Sequence, residues 1–526
     1  MELFKELTFT SKSSDHDPFN YVSLSALFTR PDGSSISVTG FWAGGDTYKL
    51  RYDISIPGKH RYITVSSDDS LNGIKGEITV RKYTGDNPLY VHGAIGRKNK
   101  DLYLRYKDGT PFYWLADTWW MGLTDRLDFN KDFGKLTEDR VKKGFNVVQI
   151  VAGLYPDMLP FDERGRNEAG FPWTADFKSI CPEYFDMADR RIFHLIKKGI
   201  TPCIVGSWGF FMKFAGKETL LKHWKYLIAR WSALPVAWCI AGEANMAFYN
   251  ENISAEEHLR RSRKDWNDVT LFVKNNDPFK RLITIHPTNN GHEQIEDETL
   301  LDLDMLQTGH GGFASIVPQM KQIKHSVDRK ALPVINSECN YEGICGSSYC
   351  DVQRYVYLSD FMLGAAGHTY GANGIWQLNG IGRPYGPSPH GSTWGDTNWK
   401  EAASLPGSGQ IGSCKRFLTS FEWWRFQSHP EWVENPCSLN ACDGNFCVGI
   451  PKEVRIIFKP NLGGSFWGNI EIRGIEKDIS YMASRFDPIL GKETVIGDVI
   501  PDESGVWRMP KVTAFQDWLY ILKAKK

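Results

Sequence analysis

Residues 235–245 read PVAWCIAGEAN, and residues 332–341 read LPVINSECNY. Each is a short apolar run that ends in a carboxylate, Glu243 in the first and Glu338 in the second. A run that is apolar at successive positions, rather than at alternate ones, is how a strand reads when both of its faces are covered. A carboxylate is costly to desolvate, so one at the end of such a run marks where the strand leaves the core.

Outward from these two stretches the same unit repeats. PFYWLAD, FNVVQIVAG, ITPCIVGSW, PVAWCIAGE, RLITIHP, LDMLQTGH, LPVINSE and HTYGANGIWQL are strand-like. Between most of them lie segments of helical period, such as KLTEDRVKKG ending at Gly144 and PEYFDMADRRIFHLIKKG ending at Gly199. Strand and helix alternating eight times predicts an α/β chain whose centre is a (β/α)8 TIM barrel. An open doubly wound sheet competes, but it needs a glycine-rich phosphate loop after its first strand, and DTWWMG is bulky.

The flanks read differently. Residues 1–85 hold short alternating segments separated by PDGSS, IPGKH and SDDSLNG, the chemistry of turns, and predict an Ig-like N-terminal β-sandwich. A connector over 86–110 ends in a hairpin turn at Lys107-Asp108-Gly109. The barrel is expected over 111–428, and short strands return over 429–526 as a C-terminal β-sandwich.

Composition narrows the function. Lys+Arg and Asp+Glu are 62 each, so no excess positive charge invites a nucleic acid. No window reaches the roughly 18 apolar residues of a membrane span. MELFKELTFTSKSS lacks a basic segment followed by an apolar one, which predicts a cytoplasmic protein unless a leader has been trimmed. Cys437, Cys442 and Cys447 lie five apart, not in the close pairs of zinc sites, and no metal or other cofactor is expected. The 19 Trp, 21 Tyr and 30 Phe are abundant enough to supply flat apolar faces for sugar rings besides a core.

In a barrel of this kind the active site lies at the C-terminal ends of the strands. Those tips carry Asp117, Trp119 and Trp120; Tyr155; Ser207 and Trp208; Glu243 and Asn245; His286; His310; Glu338 and Asn340; and Asn373 and Trp376. Two of these groups are glutamates on strands four and seven. Glycoside hydrolysis uses such a pair, one to protonate the leaving oxygen and one to attack the anomeric carbon or activate water. Each of these residues also has an ordinary structural reading. Taken singly, the glutamates could be rim ion pairs, the histidines buried hydrogen-bonding groups, Asp117 a helix cap or loop residue and the tryptophans core. Their coincidence at one mouth favours the catalytic reading. Asp117, Trp119, Tyr155, Trp208, Asn245, His286, His310 and Trp376 are then the expected substrate-binding groups. A non-catalytic glycan-binding barrel and a purely structural protein are the competing functions.

PFYWLADTWW, GEAN, NSEC and the aromatic eighth strand resemble the apiosidase-like glycoside hydrolases, a branch of the clan A retaining (β/α)8 glycosidases. The N-terminal region resembles the sandwich that often precedes such barrels in bacterial proteins. The C-terminal one, with SRFDPILGKE and DWLYILKA, resembles the sandwich that often follows them. The resemblance implies that Glu243 is the acid/base and Glu338 the nucleophile of a retaining reaction on a carbohydrate. It also implies apiose or another pentofuranose in plant polysaccharides as the sugar. One position departs from the clan pattern. Many clan members place Asn directly before the acid/base, where it binds the sugar 2-hydroxyl; here Gly242 stands there and the nearest Asn is Asn245.

Overall fold

A computed structural model describes residues 2–13, 17–246, 253–389, 391–461, 470–510 and 514–525. Eight parallel strands form its central sheet: β1 (Trp114–Thr118), β2 (Val147–Val151), β3 (Thr201–Val205), β4 (Ala237–Cys239), β5 (Ile283–Thr284), β6 (Asp304–Gln307), β7 (Val334–Glu338) and β8 (Gly367–Tyr370). Their order is β5-β4-β3-β2-β1-β8-β7-β6, a ring whose seam falls between β5 and β6. Across that seam Asp302 N donates to Ile283 O at 2.9 Å and Thr284 Oγ1 to Leu303 O at 2.9 Å. The fold is therefore a (β/α)8 TIM barrel with separate antiparallel sheets at each end of the chain.

The helices α1 (Gly134–Lys142), α2 (Pro182–Lys197), α3 (Lys217–Trp231), α4 (Ala255–Asn276), α5 (Ile316–Asp328), α6 (Cys350–Met362) and α7 (Pro406–Leu418) form the outer layer. Their boundaries follow local chemistry. Pro182 stands in the first turn of α2, where its missing N–H costs nothing. Ser254 caps α4 by accepting from Glu257 N at 3.2 Å. Tyr184, Phe185, Ala188, Ile192, Leu195 and Ile196 recur at helical spacing and bury one face of α2. Between β5 and β6 only 3-10 turns occur, at Gly291–Glu293 and Glu298–Leu300.

At the N-terminal end of the chain, a sheet of Lys5–Thr10, Thr47–Tyr52 and Phe41–Trp42 accompanies a second sheet. That second sheet is Ser35–Thr39, Leu24–Thr29, Gly58–Ser66 and Lys75–Val80. Arg51 on Thr47–Tyr52 ties this unit to the barrel. Its guanidinium reaches Asp189 of α2 at 2.5 Å, and Asp189 also takes Arg230 of α3 at 2.8 Å. Burial works against the Asp189 charge, but the two guanidiniums hold its carboxyl well below the usual range. At the other end a six-stranded antiparallel sheet packs through Arg354 of α6 to Asp517 at 2.7 Å and through stacked Phe417 and Phe486, 4.1 Å apart. No helix among the described residues is long and apolar enough to cross a membrane.

Candidate active site

The strands deliver their C-terminal ends to one mouth, and a cavity of about 350 Å³ opens there. Trp120, Asp157, Trp208, Glu243, Gln307, His310, Glu338, Tyr341, Trp376 and Trp394 line it, with Pro156, Met246 and Ile344.

Glu338 is the last residue of β7 and is buried. His310 Nε2 lies 2.9 Å from its Oε1, and His286 Nε2 lies 3.2 Å from its Oε2. Burial alone would raise this carboxyl. The two imidazoles more than offset it and bring Glu338 down to about 2.

Glu243 follows β4 in a left-handed backbone conformation, φ 44°, which a residue with a side chain adopts only when its surroundings impose it. The next residue supplies the constraint. Ala244 O accepts from Trp266 Nε1 at 2.8 Å and from Ser262 Oγ at 3.1 Å, both on α4. The Glu243 carboxyl accepts from Trp208 Nε1 at 2.9 Å and from Gln307 Nε2 at 3.0 Å. Burial first, and the charge of Glu338 second, push it up to about 8.

The same Gln307 nitrogen reaches Glu338 Oε1 at 3.2 Å. One amide thus spans the two carboxyls. Gln307 arrives there through a register shift between β6 and β7, after which it stands opposite Glu338. Buried atoms without hydrogen-bond partners among the described residues include Trp376 Nε1, Gln307 Oε1 and His310 Nδ1, all from cavity-lining residues. Such orphans are uncommon in a packed interior, and here they belong to residues that line the cavity.

Of the residues singled out from sequence, Glu243, Glu338, Trp208, His310 and Trp376 line the cavity. His286 lies beneath it, fully buried, against Glu338 and against the rings of Trp120 and Trp208, at 5.3 and 6.0 Å. The other four are placed elsewhere. Asp117 is buried in an ion pair with Arg140 at 2.6 Å and also accepts from Trp119 Nε1 at 2.8 Å. Trp119 is consequently turned into the layer between barrel and helices, against Phe133. Tyr155 is buried on Tyr184, with 2.5 Å between hydroxyls. Asn245 fastens the end of β4 to Gln294, its Nδ2 donating to Gln294 O at 3.1 Å.

Asp157, Gln307, Tyr341 and Trp394 line the cavity without having been singled out from sequence, and Trp120 was read only as a strand-tip residue. Trp120 carried a signal, since it neighbours Trp119 and consecutive side chains at a strand end point to opposite sides. Gln307 lay within the strand read from LDMLQTGH, where the histidine drew attention. Trp394 belongs to an irregular segment with no periodicity to read.

A family model described as "Apiosidase-like, catalytic domain" matches residues 98–425, and one described as "Domain of unknown function (DUF5060)" matches residues 4–67. Among solved structures, a glycoside hydrolase family 5 protein from Bacteroides vulgatus ATCC 8482 aligns with a TM-score of 0.68 at 20% identity, covering 84% of this chain and 95% of its own. Another structure from that strain covers 99% of this chain and 98% of its own, at a TM-score of 0.69 and 18% identity. A third, described as a glycoside hydrolase, has a TM-score of 0.68 and 19% identity over 84% of this chain and 98% of its own. At these identities the structural likeness establishes the fold. No curated protein matches the chain.

Proposed function

The chain belongs to the apiosidase-like catalytic-domain family and is a glycosidase; from that premise we propose that it cleaves its carbohydrate substrate with retention, through Glu338 as nucleophile and Glu243 as acid/base. The observation that carries this reading is the pair of carboxyls joined by one Gln307 amide, with proton affinities pushed in opposite directions. Separation of two carboxyl pKa values is how a site assigns acid and base roles.

In the first step Glu338 attacks the anomeric carbon as the bond to the leaving oxygen breaks, and Glu243 gives that oxygen its proton. In the second, the Glu243 carboxylate takes a proton from water. The resulting hydroxide equivalent attacks the same carbon and releases Glu338. His286 and His310 keep Glu338 ionised between turnovers. Trp120, Trp208, Trp376 and Trp394 offer flat faces to the sugar. We assign an apiosyl or other pentofuranosyl linkage of a plant-type polysaccharide as the substrate, on the strength of family membership. A barrel that only bound glycans would have no need of two carboxyls with opposed proton affinities.

Glu338→Ala should lower turnover on a cleaved aryl furanoside by about 1,000-fold or more, since a nucleophile has no substitute in the site. Proton NMR of the first-formed anomer should show retention. Full turnover in that variant, or an inverted first product, would overturn the assignment.

A further inference from the structure

A second built cavity, of about 560 Å³, lies at the opposite end of the barrel. Three parts of the chain meet there: the N-terminal sheets through Arg30, the connector through Arg97, Lys98 and Lys107, and the approach to β5 through Lys280 and Arg281. Arg281 immediately precedes the N-terminal end of the barrel sheet, so this cavity is remote from the mouth that holds Glu243 and Glu338.

Its charge is unbalanced in a chain whose net charge is zero. Only two carboxylates line it, Asp53 and Asp108. Asp53 is engaged by Arg281, and Asp108 lies 2.7 Å from His92. Among the described residues, Arg30, Arg97, Lys98, Lys107 and Lys280 form no ion pair, whereas Arg105 beside them takes Asp101 at 2.5 Å. Three of these unpaired cations are positioned by neutral oxygens. Arg97 donates to Asp101 O at 3.0 Å and Ala331 O at 2.7 Å, Lys107 to Ser55 Oγ at 3.4 Å, and Lys280 to Lys274 O at 3.0 Å. Arg30 Nε is buried with no hydrogen-bond partner. Cations held together in excess of the carboxylates around them repel, and a buried guanidinium nitrogen left unpaired is costly. An arriving anion would relieve both.

A neighbouring cavity of about 580 Å³ shares Asp53, Ser55, Ala94, Lys107, Asp108 and Arg281 with the first and adds Lys82, Tyr83 and Tyr90. The two cavities thus adjoin, with cations in both linings and aromatic side chains in each, Tyr106 and Phe279 in the first and Tyr83 and Tyr90 in the second. Each falls within the roughly 300–1,000 Å³ of ordinary ligand pockets.

We propose that this pair of cavities binds a linear acidic glycan, a segment bearing uronate carboxylates, and so anchors a polymer away from the catalytic mouth. Carboxylates would meet the unpaired cations, and the apolar faces of the rings would lie on the aromatics. This deepens the carbohydrate reading and rests on it, but binding is measured without turnover, so the two stand or fall separately.

The experiment is calorimetry of the full chain with a hexauronate and with its carboxyl-reduced, neutral counterpart, in wild type and in Lys98→Ala/Lys107→Ala/Lys280→Ala. Binding of the hexauronate should weaken about tenfold or more in the triple variant and with added salt. The neutral hexasaccharide should not show this difference. Turnover of an aryl furanoside by the triple variant should equal wild type, which confirms that it folds. Equal hexauronate binding by wild type and variant would overturn the proposal. So would tighter binding of a single-stranded oligonucleotide than of the hexauronate.

Discussion

The indole ring of Trp208 fills the space in which a side chain at residue 242 would stand. A Cβ placed on Gly242 would come within 2.2 Å of the ring. The backbones of the two residues pair as a parallel bridge, so neither can move aside alone. The ring is held as well, against Trp120 at 5.4 Å and His286 at 6.0 Å. Glycine at 242 is therefore what allows Trp208 to reach Glu243 and donate to it at 2.9 Å. Gly242→Asn, which restores the residue common in the clan, should here displace the indole and lower kcat/KM by about 100-fold, as misplacement near the reacting centre does. Kinetics alongside a melting curve check this. Wild-type turnover in that variant would mean that the Trp208 contact is dispensable.

The opposed proton affinities of the pair predict the pH profile. On the proposed mechanism, turnover needs Glu243 protonated and Glu338 ionised. Glu243 is pushed up to about 8, so kcat/KM should hold through neutral pH and fall about tenfold per unit above it. Glu338 is pulled down, so the acid limb should lie below the ordinary carboxylate range. Glu243→Gln should erase the alkaline limb and spare kcat/KM for substrates whose leaving group needs no proton, while kcat on them falls because the second step loses its base. A limb that persists near pH 8 in this variant would assign it to another group.

Much of the barrel was legible because covered strands are apolar at successive positions, a pattern that survives without knowledge of tertiary contacts. The carboxylates of β4 and β7 were legible because each interrupts such a run. What escaped reading depended on partners distant in sequence. Asp117 looks like a strand-tip acid until Arg140, 23 residues on, is seen to bury with it. Trp119 and Trp120 are equivalent in sequence, and the Asp117 contact decides which one turns outward. Gln307 enters the site through a shift of strand register, which leaves no mark in composition.

That burial makes Asp117 a test of structural against substrate-binding roles. Asp117→Ala leaves the Arg140 guanidinium, also fully buried, with Asp139 at 2.6 Å but without the carboxylate that holds its Nε. Removing one partner of a buried pair costs about 3–5 kcal/mol. The melting temperature should fall by several degrees while KM of the surviving folded enzyme stays unchanged. A raised KM with an unchanged melting temperature would return Asp117 to the substrate.

The loop after β8 meets the loop after β2 across the cavity. Trp394 Nε1 donates to Asp157 Oδ2 at 3.2 Å, Tyr385 Oη to Pro156 O at 2.6 Å, and Asn373 Nδ2 holds Trp394 O at 2.6 Å. Trp394 is thus a wall fixed at both backbone and side chain, its own hydrogen bonds going to neither carboxyl. Its removal should cost binding rather than chemistry. Trp394→Ala should raise KM for a short glycoside about tenfold and leave kcat within about twofold, the signature of lost uniform binding. Trp394→Phe keeps a ring without the donor, so recovery of KM there would credit stacking over the bond to Asp157. Asp157 has a second readout, because its charge adds to the forces that keep Glu243 protonated. Asp157→Asn removes that charge, lets Glu243 ionise more readily and should move the alkaline limb to lower pH. A limb that stayed in place would show that Asp157 acts only through Trp394, and that its charge is screened from the acid it faces.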